Sequence, residues 1–130
     1  MSSIFSKIIR REIPAYIVAE NDENIAFMDI FPIQRGHVLV IPKIEIDNIF
    51  DLPVKSYSSL FSFAKEVSDG IKQAISCNRV GMCVIGLEVP HAHIHLVPIN
   101  KVNDMDFNNK KKMSDNELLF LSQQIAQKIK

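Results

Sequence analysis

The sequence predicts a largely antiparallel α+β domain: five strands, with helices on one face, one of them long and central and one at the C-terminus. Three observations predict it. Five short stretches carry the alternating or continuous apolar pattern of strands, bounded by turn residues. Polar turns join several of them, which favours antiparallel pairing with the helices collected on one face. Three further stretches repeat apolar residues at intervals of three and four, the period of a helix with one buried side. A length of 130 residues, 47% of them hydrophobic, suits a single domain over 1–130, with its body at about 3–107 and a C-terminal helix at 114–129.

The elements follow in order. Residues 3–11 form a short helix with Ile4, Phe5 and Ile8 inward, ended by Pro14. "AYIVAE" and "NIAFMDI" are strands, and the polar "NDEN" between them is a hairpin turn. "GHVLVIP" is a third strand, entered through the turn at 32–36. From 54 to 76 the period becomes helical, with Leu60, Phe63, Ala64, Val67, Ile71, Ala74 and Ile75 on one buried face. "RVGMCVIG" and "HAHIHLVPI" return to strand. Ser114 and Glu117 make a capping-box signature, after which Leu118, Leu121, Ile125 and Ile129 mark the final helix.

Bulk properties exclude several classes. Lys+Arg and Asp+Glu are both 15, so neither a nucleic-acid surface nor an anionic-membrane surface is expected. The run Lys110–Lys112 reads as a solvated loop. Lys7, Arg10 and Arg11 interrupt the N-terminal apolar residues, so no signal-peptide core forms. No stretch approaches the ~20 apolar residues of a membrane span. Cys77 and Cys83 lack C-x-x-C spacing and read as small reduced thiols of a cytoplasmic protein.

The chemistry concentrates in "EVPHAHIHLVP". Of four histidines, His91, His93 and His95 occupy every second position, and His37 lies in "GHVLVIPK". In a strand the three share one face while Ala92, Ile94 and Leu96 take the other. The apolar face suits packing on helices. Each imidazole needs polar partners, so the histidine face is expected to line a polar cleft unless it is merely solvated. Two such histidines can share a zinc ion, but three on a strand cannot easily do so. Alternatively one neutral imidazole attacks phosphorus while its neighbours orient it and bind phosphoryl oxygens.

The pattern "HAHIHLV" resembles the signature of the histidine triad (HIT) superfamily. "SIFSKIIRREIPA", "IAFMDIFPIQRGHVLVIPK" and "GLEVPHAHIHLVP" fall in that family's order and approximate spacing over residues 3–100. The resemblance is strongest to its nucleoside phosphoramidases and related nucleotidyl hydrolases. It implies that His93 attacks the α-phosphate, that His95 contacts phosphate oxygens, that His91 positions the nucleophile partly through its backbone, and that His37 completes the cleft. It implies a covalent nucleotidyl-histidine that water hydrolyses to a nucleoside monophosphate, typically AMP. Asp29 matches the carboxylate that binds both ribose hydroxyls, which is chemically apt because a carboxylate accepts the two bonds a vicinal diol offers. Ile4, Phe5, Ile8, Phe27, Ile30 and Leu39 match the apolar walls around the base. The resemblance further implies one five-stranded, largely antiparallel sheet with flanking helices and a homodimer whose sheets join, with a purine nucleotide as partner and no cofactor.

Two departures stand out. Many relatives begin with a C-x-x-C that helps bind a structural zinc. Here those positions are Ser3 and Ser6, whose hydroxyls cannot replace zinc-bound thiolates, so no structural metal is expected. The second lies nearer the chemistry. Where relatives carry Gly-Gln-(Ser/Thr) after an Asn-containing loop, this chain has a shortened loop and Gly86-Leu87-Glu88, which puts Gly86, Leu87 and Glu88 beside the substrate. An ionised Glu88 would repel a phosphate by roughly 4 kcal/mol at about 4 Å, with an effective dielectric near 20. It must therefore point away, pair with a cation, or stay protonated in a partly dry cleft as a general acid toward a departing amine.

The expected function is hydrolysis or transfer at the α-phosphate of a purine nucleotide conjugate, with a nucleoside phosphoramidate favoured over a dinucleoside polyphosphate. A nucleotide-binding protein with little turnover is the alternative that the changed segment at 86–88 suggests, and a metal-binding protein using the histidine row is a third.

Overall fold

The computed structural model describes residues 2–129. The chain begins with α1 (Ile4–Ile9), continues through β1 (Ile17–Glu20), β2 (Asn24–Met28) and β3 (Val38–Pro42), then α2 (Val54–Ala74), β4 (Arg79–Cys83), β5 (Ile94–Ile99) and α3 (Asp115–Lys128). The strands form one sheet in the order β1-β2-β3-β5-β4, and every neighbouring pair is antiparallel. This is the α+β, five-stranded antiparallel architecture expected.

Alternation along the central strands sorts their side chains into two cores. Ala26, Met28, Val38, Val40, Ile94 and Leu96 face α2 and α3, packing with Leu60, Val67, Ile71, Leu121 and Ile125. The opposite face carries Ile25, Phe27, Leu39 and Ile41, and there Phe5 and Ile8 of α1 cover the sheet. The helices are therefore not all on one face. A six-residue α1 is too short to be stable alone, so burial of Phe5 and Ile8 holds it, together with an N-cap in which the Ser3 hydroxyl accepts from the Ser6 N–H. Each such buried side chain contributes about 2 kcal/mol relative to exposure. Ile4 is half-exposed.

β5 starts at Ile94, three residues later than the histidine pattern implies. The reason is Pro42. Continuing the register Val40↔Ile94 sets Ala92 opposite Pro42, which has no N–H for the ladder. The Ala92 N–H turns to the Ile46 carbonyl (2.7 Å). His91 and His93 thus lie in the approach to the strand and only His95 within it, although the inside-outside alternation persists through all three.

The turn before β3 depends on Gly36. Its φ is +94°, and a Cβ there would meet Pro98 Cγ at 3.0 Å and Ile75 Cγ1 at 3.1 Å. That turn delivers His37 to the end of β3, and the Asp29 N–H donates to the His37 carbonyl (3.0 Å), so the Asp29 carboxylate and the His37 ring stand side by side.

Candidate active site

A cavity of about 270 Å³ opens on the α1 side of the sheet. His93, His95 and His37 form part of its lining with Asp29, and all the predicted apolar wall residues, Ile4, Phe5, Ile8, Phe27, Ile30 and Leu39, border it, as do Gly86, Leu87 and Glu88. The expected polar cleft is in fact an apolar slot with its polar atoms gathered at one end. The predicted row of three imidazoles is divided: His91 does not line the cavity but lies fully buried behind it.

Backbone groups dictate the protonation of each ring. The Ile33 N–H can only donate, so His37 Nδ1 accepts from it (3.1 Å) and the neutral ring carries its proton on Nε2. That Nε2–H donates to His95 Nδ1 (3.0 Å), which leaves the proton of neutral His95 on its own Nε2. Both rings are held neutral. Burial first, then the neighbouring imidazoles, lowers His37 to about 3 and His95 to about 4. His93 obeys the opposite rule. Its Nδ1–H donates to the His91 carbonyl (2.7 Å), so in the neutral ring the lone pair stays on Nε2, which has no hydrogen-bond partner among the described residues. Phe5 stands edge-on to this ring with centroids 5.1 Å apart. His93 is 5% exposed and lines the cavity.

His91 anchors a second polar group. Its Nε2–H donates to the Pro42 carbonyl (2.8 Å) and its Nδ1 accepts from the Ser3 hydroxyl (2.9 Å). Ser6 Oγ–H donates to Glu45 Oε1 (2.5 Å), which also accepts the Ser3 N–H (2.7 Å). The Ser6 hydroxyl and the Ser3 N–H together lower the Glu45 carboxyl to about 2. This cluster ties α1 to the segment that carries His93. Its donors are two hydroxyls, a carboxylate and one imidazole, with no thiolate, and they do not fit a structural zinc. Asp29, His37 and His95 also bring potential ligand atoms within 4.8 Å of one another. There the His37 Nε2 carries a proton in place of a lone pair, so that cluster does not fit a metal either.

Asp29 Oδ1 accepts the Phe31 N–H (2.9 Å), leaving lone pairs on both oxygens for a ligand. Burial raises its carboxyl above the usual range, and with His37 neutral the 3.6 Å approach of His37 Nε2 to Asp29 Oδ2 is not an ion pair. Glu88 departs from the general-acid expectation. Its side chain is 74% exposed and paired with Lys110 Nζ at 3.1 Å, so the dry surroundings on which that role depended are missing. Pairing with a cation is the alternative realised.

Among the site residues that sequence reasoning missed are Lys110 and Phe107. Both border the cavity, and Phe107 packs edge-on against His95 with centroids 4.8 Å apart. The charge run at 110–112 offered no sign of this, because a lysine-rich loop between helices looks the same whether it is solvated or folded across a cleft.

Comparison with known proteins agrees with this geometry. A family model described as HIT domain matches residues 10–102. The chain is 33% identical over 135 aligned positions to an uncharacterized HIT-like protein of Borreliella burgdorferi, covering 97% of each. It is 38% identical over 105 positions to a purine nucleoside phosphoramidase of Escherichia coli, covering 73% of this chain and 85% of that one. Among solved structures, a Hit-like protein of Bartonella henselae superposes with a TM-score of 0.87 at 28% identity, covering 98% of this chain and 96% of the other.

Proposed function

The chain belongs to the HIT family, and from that premise we propose that it is a hydrolase of nucleoside phosphoramidates that works through a covalent nucleotidyl-His93. The observation that carries this reading is the bond from His93 Nδ1–H to the His91 carbonyl, which leaves an Nε2 lone pair beside a buried apolar slot and a carboxylate. The name of the Escherichia coli relative supports the substrate class.

The purine lies in the slot between Phe5, Phe27 and Leu39, and Asp29 accepts the two ribose hydroxyls. His93 Nε2 then attacks the α-phosphorus. A P–Nε2 bond forms as the bond to the departing nitrogen breaks, and that nitrogen leaves with the electron pair and takes a proton from water at the open mouth. His95 Nε2–H donates to a phosphoryl oxygen while charge builds there. A water molecule next attacks the phosphorus, breaks the P–Nε2 bond and returns a proton to solvent, giving a nucleoside monophosphate and neutral His93. Depressed values at His37 and His95 keep the donor relay uncharged at neutral pH, so its direction does not change between turnovers.

The proposal includes a homodimer. β4 is a sheet edge, and exposed Met82, Val84, Ile85 and Leu87 lie on or just after it, apolar surface that a second copy would cover. No helix among the described residues is long and apolar enough to cross a membrane. Cys77 and Cys83 are unpaired, which supports a cytoplasmic setting.

The test is incubation with adenosine 5′-phosphoramidate without added metal. Wild type is expected to release AMP and to show one nucleotide added at His93 by mass spectrometry after rapid quenching. A His93→Ala variant that turns over as fast as wild type removes the mechanism.

A further inference from the structure

We infer that Lys110 selects leaving groups that carry their own negative charge, with Glu88 as the partner that holds its ammonium at the cleft mouth until such a substrate arrives. This rests on the proposed hydrolysis at the α-phosphate and adds to it the chemistry of what lies beyond that phosphate.

The lysine sits on a built strap. After β5 the chain makes a 3-10 turn at Val102–Met105 and crosses the cavity mouth before α3. Four contacts fix its path. The Gln34 side-chain amide donates to the Asp104 carbonyl (3.1 Å), and Phe107 lies against His95. Just beyond Lys110, the Lys111 N–H donates to the Pro32 carbonyl (2.8 Å) and the Lys111 ammonium to the Ile33 carbonyl (2.7 Å). Lys110 is thus held between two anchored neighbours, over the same turn whose Ile33 N–H sets the His37 proton. The lysine lies beyond residue 102, where the family match ends.

The charge is placed for a substrate rather than for the fold. Lys110 borders the cavity together with Asp29, His37, His93 and His95, and its field is felt at Asp29, His37 and His95. Its only carboxylate partner within 4.0 Å among the described residues is Glu88, at 3.1 Å. Both side chains are exposed, at 46% and 74%, and exposed ion pairs hold weakly. The ammonium can therefore exchange Glu88 for a substrate anion at little cost. A neutral leaving group gains nothing from the exchange. An anionic one gains a charge-assisted bond, and only if Lys110 is present.

Four adenosine 5′-phosphoramidates, made with ethanolamine, phosphoethanolamine, glycinamide and glycine, test this. All break a P–N bond to a primary amine, and within each pair one leaving amine carries the additional anion, phosphate or carboxylate. Wild type is expected to favour the anionic member in kcat/KM. Lys110→Met is expected to reduce that preference about tenfold, Lys110→Arg to keep it, and Glu88→Gln to increase it. A response in one pair alone supports the inference and names the anion. Equal loss for charged and neutral members in Lys110→Met overturns it, since the lysine would then serve the α-phosphate they share. An unchanged ratio overturns it as well. Wild type that hydrolyses none of the four removes the proposed function itself, and this inference with it.

Discussion

His37 Nε2 lies 3.0 Å from His95 Nδ1, and the proton between them is assigned by a third group, the Ile33 N–H 3.1 Å from His37 Nδ1. A single backbone amide thereby fixes the tautomers of two rings in series, and the second of them presents its remaining N–H to the cavity. The His91 carbonyl does the converse for His93. One site thus holds two imidazoles of opposite polarity, a lone pair to attack with and an N–H to receive charge, without any acid or base changing its protonation beforehand.

This relay has a direct spectroscopic signature. Long-range 15N–1H spectra at neutral pH are expected to show His37, His91 and His95 as Nε2–H tautomers and His93 alone as Nδ1–H. His37→Leu removes the donor to His95 Nδ1 and is expected to slow turnover about a hundredfold through misorientation. A His95 found as the Nδ1–H tautomer in wild type would contradict the chain of donors.

Asp29 offers a sugar test. Its carboxylate has one oxygen tied to the Phe31 N–H and lies 20% exposed in the cavity wall. Charge-assisted bonds to both ribose hydroxyls are worth enough that 2′-deoxy-AMP is expected to bind about tenfold more weakly than AMP. In Asp29→Asn that difference should shrink to less than twofold, as measured by calorimetric titration of both nucleotides. Equal binding of the two by wild type would remove Asp29 from the ribose.

Much of this was readable from residue order, and the failures have identifiable physical causes. The face shared by His93 and His95 follows from a period of two, which survives even where the ladder ends. Where the strand begins does not follow from periodicity, because Pro42, far off in sequence, denies the opposite residue a hydrogen bond. The side of the sheet that α1 covers was equally hidden, since Phe5 and Ile8 satisfy either face. Ser3 and Ser6 announced the lack of zinc thiolates. The part played by Glu45 required the fold, as it lies 42 residues from Ser3. Phe107 and Lys110 were invisible for a different reason: a strap contributes isolated contacts at no fixed spacing, so no pattern marks it.

The buried imidazoles predict an acid-sensitive fold. For His37 and His95 the folded values, about 3 and about 4, lie below the ordinary 6.5, and His91 is lowered too, in each case chiefly by burial. Their contribution is fully present above 6.5 and is lost as pH falls toward the folded values. At pH 5 the unfolded forms of His37 and His95 are charged and the folded ones are not, which costs about 2 kcal/mol for each of these two. Asp29, raised by burial, acts in the opposite sense, and Glu45, lowered to about 2, adds its loss only below its ordinary value near 4.5. Thermal midpoints should therefore drop steeply between pH 6.5 and 4.5, with a shallower slope in His37→Leu. A midpoint that stays level across this interval would mean the rings are accessible to protons.

The hydroxyl cluster at α1 can be asked whether it replaces a metal. His91 Nδ1 already turns its lone pair toward Ser3 Oγ at 2.9 Å, with Ser6 Oγ at 3.5 Å. Removing one hydroxyl in Ser3→Ala leaves that buried nitrogen unsatisfied and is expected to cost about 1–3 kcal/mol. Changing both, in Ser3→Cys/Ser6→Cys, surrounds the same lone pair with two thiolates, which together with Nδ1 make three ligands of a tetrahedral zinc site. That variant is expected to bind one zinc ion per chain and to melt at a higher temperature with zinc than with chelator, whereas chelator should leave wild-type melting unchanged. Wild type that loses stability with chelator would show that a metal, and not the bonds among Ser3, Ser6, Glu45 and His91, holds α1 against the sheet.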